Sequence, residues 1–253
     1  MGSVRERKAM ESAMERRAFL AGMLSAGAAM TGLSACSSSD SANKSIATDA
    51  ESMATLSLPS AQPDPASMFD VDANVNMATI DVYIESGTLQ SAILRDMRLV
   101  DDPARYEAIG GDSKLSMMIE GFEVTPYPYI GSLQTLPVDG IYEGPKLFDV
   151  IWDETGEVIS AKPNYRQSRA IVEELFPKDK SIILMCGGGG YAGMMRKLLI
   201  HLGWNSSKVY NIGGMWDYVG NHPVQLISSA NPQRPVYYLW RAKMPIIDFA
   251  TLA

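Results

Sequence analysis

Between Asn164 and Ile212 the apolar residues change period three times. Tyr165 to Phe176 repeats at three and four residues and stops at Pro177, then Ser181 to Met185 forms a short continuous apolar run. Ala192 to Leu202 returns to helical spacing, with Met194, Met195, Leu198, Leu199 and Leu202 on one face and Gly203 as its stop. Val209 to Ile212 is again a short strand-like run. Parallel strands need a crossover long enough to hold a helix, and such crossovers are right-handed, so helix, strand, helix, strand predicts an α/β fold with a parallel sheet. Asn164 with Gln167 three residues on reads as a capping box for the first helix.

Upstream the pattern is weaker. Residues 78–84 (ATIDVYI) and 92–99 (AILRDMRL) alternate like strands, and Asp102 followed by Pro103 opens a helix that Gly110 closes. Residues 147–152 and 157–160, joined by Asp153-Glu154-Thr155-Gly156, read as a β-hairpin. Three prolines in VTPYPYIGSLQTLPVDG predict irregular chain there. No internal repeat is present.

The chain turns from its central apolar run into the following helix through MCGGGGYAGM, residues 185–194. Open α/β sheets place ligands at this junction. Gly188 to Gly193 satisfies G-x-G-x-x-G, but the acidic ribose partner expected about 20 residues on is Asn211, and too little chain follows for the second half of a dinucleotide fold. A phosphate loop of the Lys-Ser/Thr type fails because neither residue follows the glycines. A cysteine phosphatase needs an arginine six positions after the cysteine, and that position is Ala192. Two readings remain from the residues alone. Cys186 is either a thiolate facing backbone N–H groups at a helix amino end, which would lower its pKa below the free value of about 8.5, or an ordinary buried strand residue beside a packing loop.

Residues 1–35 read as an address. Arg5, Arg7, Lys8, Arg16 and Arg17 precede a run from Ala18 to Ala35 without charge, which ends in Leu33-Ser34-Ala35-Cys36. Arg16-Arg17-Ala18-Phe19-Leu20 resembles a twin-arginine export signal and Leu-Ser-Ala-Cys resembles a bacterial lipobox. The resemblance implies cleavage before Cys36, acylation of Cys36 and an extracytoplasmic protein held on the bacterial cell membrane by lipid. A retained anchor is the competing reading, but the glycines, serines and threonine of this run make it weakly apolar for a span. Residues 36–68, rich in Ser, Ala, Asp and Pro, read as a flexible tether, 69–230 as the folded domain and 231–253 as an extension.

Removing residues 1–35 takes five basic and three acidic side chains from 22 and 29, leaving 17 against 26. No basic surface for nucleic acid is expected from so acidic a chain. With Cys36 lipidated, Cys186 has no disulfide partner. His201 and His222 are far apart in sequence and make no recognisable metal set with one cysteine, and no organic cofactor is implied.

Cys186 with Gly189, Leu198-Leu199, Leu202-Gly203 and Val209-Tyr210-Asn211-Ile212-Gly213-Gly214-Met215 resembles the carboxyl half of a rhodanese-like domain (C-x-x-G…LL…LG…VYNLEGGM), and Arg95-Asp96-Met97-Arg98 resembles its D-x-R strand end. The resemblance spans residues 78–219 and implies an open parallel sheet flanked by helices, with an inserted β-hairpin within 133–163. It implies a sulfurtransferase in which Cys186 carries sulfane sulfur as a persulfide, Gly187, Gly188, Gly189, Gly190, Tyr191 and Ala192 bind it through their amides, and Asp96 and Arg98 brace the loop. The partners implied are a small sulfur-containing donor and a thiophilic acceptor; a silent binding module with a protein partner is the alternative. The loop carries no charge and Tyr191 stands where the family often has arginine, which favours a neutral donor or polysulfide over thiosulfate.

Among other residues, Arg196 and Lys197 read as a solvated face or as a source of positive potential at the pocket edge, the first favoured, Tyr191 as a shield or an anion contact, and Trp216 and Tyr218 as core and pocket wall. Tyr127, Tyr129 and Tyr142 are candidates for a cleft or for packing.

Overall fold

The computed structural model describes residues 56–98, 117–134, 144–225 and 248–253. Its centre is a parallel sheet of four strands, β1 (Ile93–Asp96), β3 (Glu123–Val124), β6 (Ile182–Cys186) and β7 (Val209–Gly214), in the order β3-β1-β6-β7. Antiparallel pairs flank it: β2 (Met117–Ile119) with β8 (Pro223–Gln225), and the hairpin β4 (Phe148–Trp152) with β5 (Val158–Pro163). The helices are α1 (Ile80–Glu85), α2 (Tyr127–Ile130), α3 (Ser168–Leu175) and α4 (Gly190–His201). The chain is therefore mixed α/β, with the parallel sheet and hairpin expected.

β6 explains the continuous apolar run. Successive side chains point to opposite faces of a strand, so Ile182, Leu184 and Cys186 enter one core with Leu198 and Leu199 of α4. Ile183 and Met185 enter a second core with Ile80, Tyr210 and Ile212. Covering both faces removes the polar alternation of a half-exposed strand. α4 ends as expected: Gly203 sits at φ +99°, and Trp204 N–H reaches Leu199 O at 3.0 Å.

Five expectations are corrected. Residues 80–85 are helical, not a strand. Asn76 Oδ1 accepts from Ala78 N–H and Asn76 O accepts from Ile80 N–H, which starts a helical turn. Ile80, Tyr83 and Ile84 then share the core face while Val82 points to solvent, a spacing of three and four that also passes for alternation. The capping box does not form. Asn164 Nδ2 donates to Lys146 O and Asp149, and Ser168 Oγ instead accepts from Tyr165 N–H while donating to Leu147 O.

The expected tether is too long. Leu58 and Ala61 pack on the second core, Tyr210 Oη donates to Pro59 O, and buried Asp72 accepts from Gln62 N–H at 2.6 Å. At the other end Phe249 packs against Tyr129 and Tyr165, and Arg166 N–H donates to Ala253 O, so the final residues belong to the domain. The segment expected to be irregular contains α2. The expected helix at 103–110, the export signal, Cys36 and Tyr142 lie outside the described residues.

Candidate functional site

Cys186 ends β6 at the carboxyl edge of the parallel sheet and is buried. The next three glycines turn the chain into α4. Gly189 takes φ +92°, a conformation an L side chain resists, and this aims its N–H at Cys186 Sγ over 3.0 Å. The N–H groups of Ala192, Gly188 and Tyr191 also face the sulfur and favour its anion. The structure thus brings Cys186 together with most of the loop amides named from sequence.

The fall in thiol pKa that one of the two readings of Cys186 implied does not occur. Burial, which penalises the charged form, is the largest influence, and the nearby Asp96 carboxylate adds to it; together they outweigh the amides and push the Cys186 thiol up. Sequence shows donors at a helix amino end but not how deeply the sulfur lies.

Asp96 and Arg98 form one buried unit. Arg98 Nε lies 3.0 and 2.9 Å from the two Asp96 oxygens, Arg98 Nη2 2.5 Å from Oδ2, and the same nitrogen donates to Met117 O at 2.7 Å. Register places Asp96 beside Met185 on β6, one residue before the cysteine.

Asn211 enters the sequence reading as the residue in place of a ribose-binding acid and as a member of the 209–215 motif, with no role of its own. Its buried carboxamide donates to Phe69 O at 2.6 Å and Gly189 O at 3.1 Å, and accepts from Gly213 N–H at 3.0 Å. It joins β7, the segment at Phe69 and the loop peptide whose N–H meets the sulfur. An isolated amide in an otherwise apolar buried strand was the available signal. Around it the backbones are close: a side chain on Gly193 would meet Phe69 O, and one on Gly214 would collide with the Gly187 carbonyl.

The Trp216 ring lies on Gly188, where a Cβ would come within 2.8 Å of it, and Trp216 N–H donates to Gly187 O. That ring is 49% exposed, so Trp216 is a wall and not core; Tyr218 is buried. Tyr191 stacks on Tyr127, with centroids 6.2 Å apart. Tyr127 is core and Tyr129 meets Phe249, so both pack.

The solvated face expected at Arg196 and Lys197 is corrected too. Arg196 is buried and its Nε donates to Val209 O, while Lys197 pairs with Glu157 at 2.8 Å and Asp70 at 3.1 Å. Both cations are held by structure. A cavity of about 230 Å³ lined by Met68, Phe69, Gln134, Gly190, Gly193 and Lys197, among others, shares Gly190 with the loop but does not include Cys186. His201 lies exposed in the last turn of α4. Among the described residues, no helix is long and apolar enough to cross a membrane.

Comparison with known protein families, with curated proteins and with solved structures finds no match. Any functional reading rests on the geometry and on the motif resemblance.

Proposed function

We propose that the chain is an exported, lipid-anchored sulfur carrier of rhodanese-like fold, in which Cys186 takes up sulfane sulfur as a persulfide. The observation that carries this reading is a strand-end sulfur that accepts the Gly189 N–H at 3.0 Å, with the backbone N–H groups of Ala192, Gly188 and Tyr191 favouring its anion. In loading, the Cys186 thiol gives up its proton and its sulfur attacks the sulfane sulfur of a donor; the donor S–S bond breaks, a new S–S bond forms on Cys186, and the rest of the donor leaves with the bonding electrons and takes up a proton. A thiophilic acceptor then attacks the outer sulfur and Cys186 returns to its thiol.

The loop itself carries no charged side chain, so an incoming anion would meet only neutral donors, roughly half as strong as charge-assisted ones. A neutral or weakly charged donor such as an organic polysulfide fits this loop better than thiosulfate. The buried, protonated thiol is the one observation favouring a binding module without chemistry.

Mass spectrometry after incubation with organic polysulfide, inorganic polysulfide and thiosulfate separates the two. Addition of 32 Da (about one sulfur atom) to wild type but not to Cys186→Ser supports the carrier. No addition from any donor sinks it in favour of the binding module.

A further inference from the structure

A second cluster lies away from Cys186, where the 218–222 segment returns onto α1. Asp81 and Glu85 stand one turn apart on α1, and His222 comes from the residue before β8. One ligand atom from each of the three lies within 4.8 Å of the other two. His222 Nε2 is 3.4 Å from Glu85 Oε1, and its Nδ1 is 3.7 Å from Glu120 Oε2 on the opposite side of the ring.

We propose that Asp81, Glu85 and His222 form a binding site for a divalent first-row transition cation, with Zn²⁺ as the preferred ion and Glu120 orienting the imidazole through Nδ1. Three lines of geometry and charge support it. First, His222 Nε2 and Glu85 Oε1 meet in a long hydrogen bond of 3.4 Å, and two metal–ligand bonds of about 2.1 Å meeting near the tetrahedral angle would hold their ligand atoms at about that same spacing. Second, a ligating histidine usually gives its other ring N–H to a carboxylate, and Glu120 Oε2 lies on that side of the ring at 3.7 Å, an ion-pair distance from which a small side-chain shift would complete the bond.

Third, the local charge would attract a cation. Asp81, Glu85 and Glu120 converge on one imidazole, which supplies one positive charge at most. Among the described residues, no lysine or arginine pairs with any of the three carboxylates. The Asp81 oxygens accept from Tyr218 Oη and Asn221 N–H, each at 2.7 Å, and each oxygen keeps a lone pair for a metal. The single nitrogen ligand favours zinc-like ions over Mg²⁺ or Ca²⁺, which prefer oxygen alone. The sequence hides this site because 137 positions separate Glu85 from His222.

The test is calorimetric titration of Zn²⁺ into the untagged full chain carrying Cys36→Ser and Cys186→Ser, so that neither thiol can bind metal. One ion per chain is expected. Affinity should fall at least about tenfold in Glu85→Gln and His222→Ala, and about tenfold in Glu120→Gln and Tyr218→Phe, which act through the ligands. Glu85 is an exposed residue, so its variant keeps the test valid if another fails to fold, as judged by circular dichroism. Absence of saturable Zn²⁺ binding, binding unaffected by Glu85→Gln and His222→Ala, or equal affinity for Ca²⁺ would overturn the site.

Discussion

Replacing Asn211 tests whether the cysteine loop is held by one side chain. In Asn211→Ala three hydrogen bonds vanish, those with Phe69 O, Gly189 O and Gly213 N–H. At about 1 kcal/mol net each the loss is about 3 kcal/mol, and more where the stranded groups stay dry. At roughly 2 to 4 °C per kcal/mol for a domain of this size, the melting midpoint should fall by about 6 to 12 °C. Asn211→Asp separates hydrogen bonding from packing. It preserves volume but presents an oxygen where the amide donated to two carbonyls, so it should be at least as destabilising as alanine. Thermal melts followed by circular dichroism measure both, and alkylation of Cys186 in the same variants should change in rate because the Gly189 carbonyl is released. A shift under about 3 °C, or an aspartate variant clearly more stable than the alanine variant, would refute the argument.

Gly189→Ala should cost about 1 to 2 kcal/mol in urea denaturation, because alanine resists the φ of +92° that aims the loop N–H at sulfur; an equally stable variant would mean the loop reaches Cys186 in another conformation. Since burial raises the thiol pKa, iodoacetamide modification of Cys186 in the folded chain should reach half its maximal rate above the usual value of about 8.5. The stability linked to that shift is fully present below the unfolded thiol's pKa and declines as pH rises through the folded value. The wild-type urea midpoint should therefore fall relative to Cys186→Ser on going from neutral to strongly alkaline pH, and a change of the opposite sign would contradict a raised pKa.

The sequence exposed whatever depends on neighbours along the chain. The two-faced burial of β6, the Gly203 stop and the 153–156 turn follow from local periodicity and turn chemistry, and the structure bears them out. Where two local patterns coincide, or where a residue's role is set by distant chain, the reading failed. Ile80, Val82 and Ile84 fit alternation or a helix, and only the Asn76 turn decides between them. The proline-rich residues near Pro59 look like tether until the Tyr210 hydroxyl fixes one of their carbonyls. Arg196 and Lys197 look solvated until Val209 O, Asp70 and Glu157 are seen to hold them. Asn211 showed only as an odd amide because its partners, Phe69 and Gly189, lie 142 and 22 positions away.

The raised thiol pKa bears on which sulfur species the loop suits. A ring of N–H groups stabilises an anion, yet at Cys186 its effect on the thiol is outweighed by burial and by Asp96. If the resting thiol were the loop's only occupant, one N–H at 3.0 Å and three more that favour its anion would be donors in excess of need. A persulfide changes the balance on both sides. Its charge sits on the outer sulfur, one bond further from the buried strand end, and a persulfide is intrinsically more acidic than a thiol. On the proposed reading the same amides would then serve an anion that forms at neutral pH, while the unloaded thiol stays protonated and resists oxidation, because the thiolate is the reactive form. On the proposed reading, slow alkylation of the thiol and stable retention of a loaded sulfur are two results of one geometry. A Cys186 that alkylates rapidly at neutral pH would remove both.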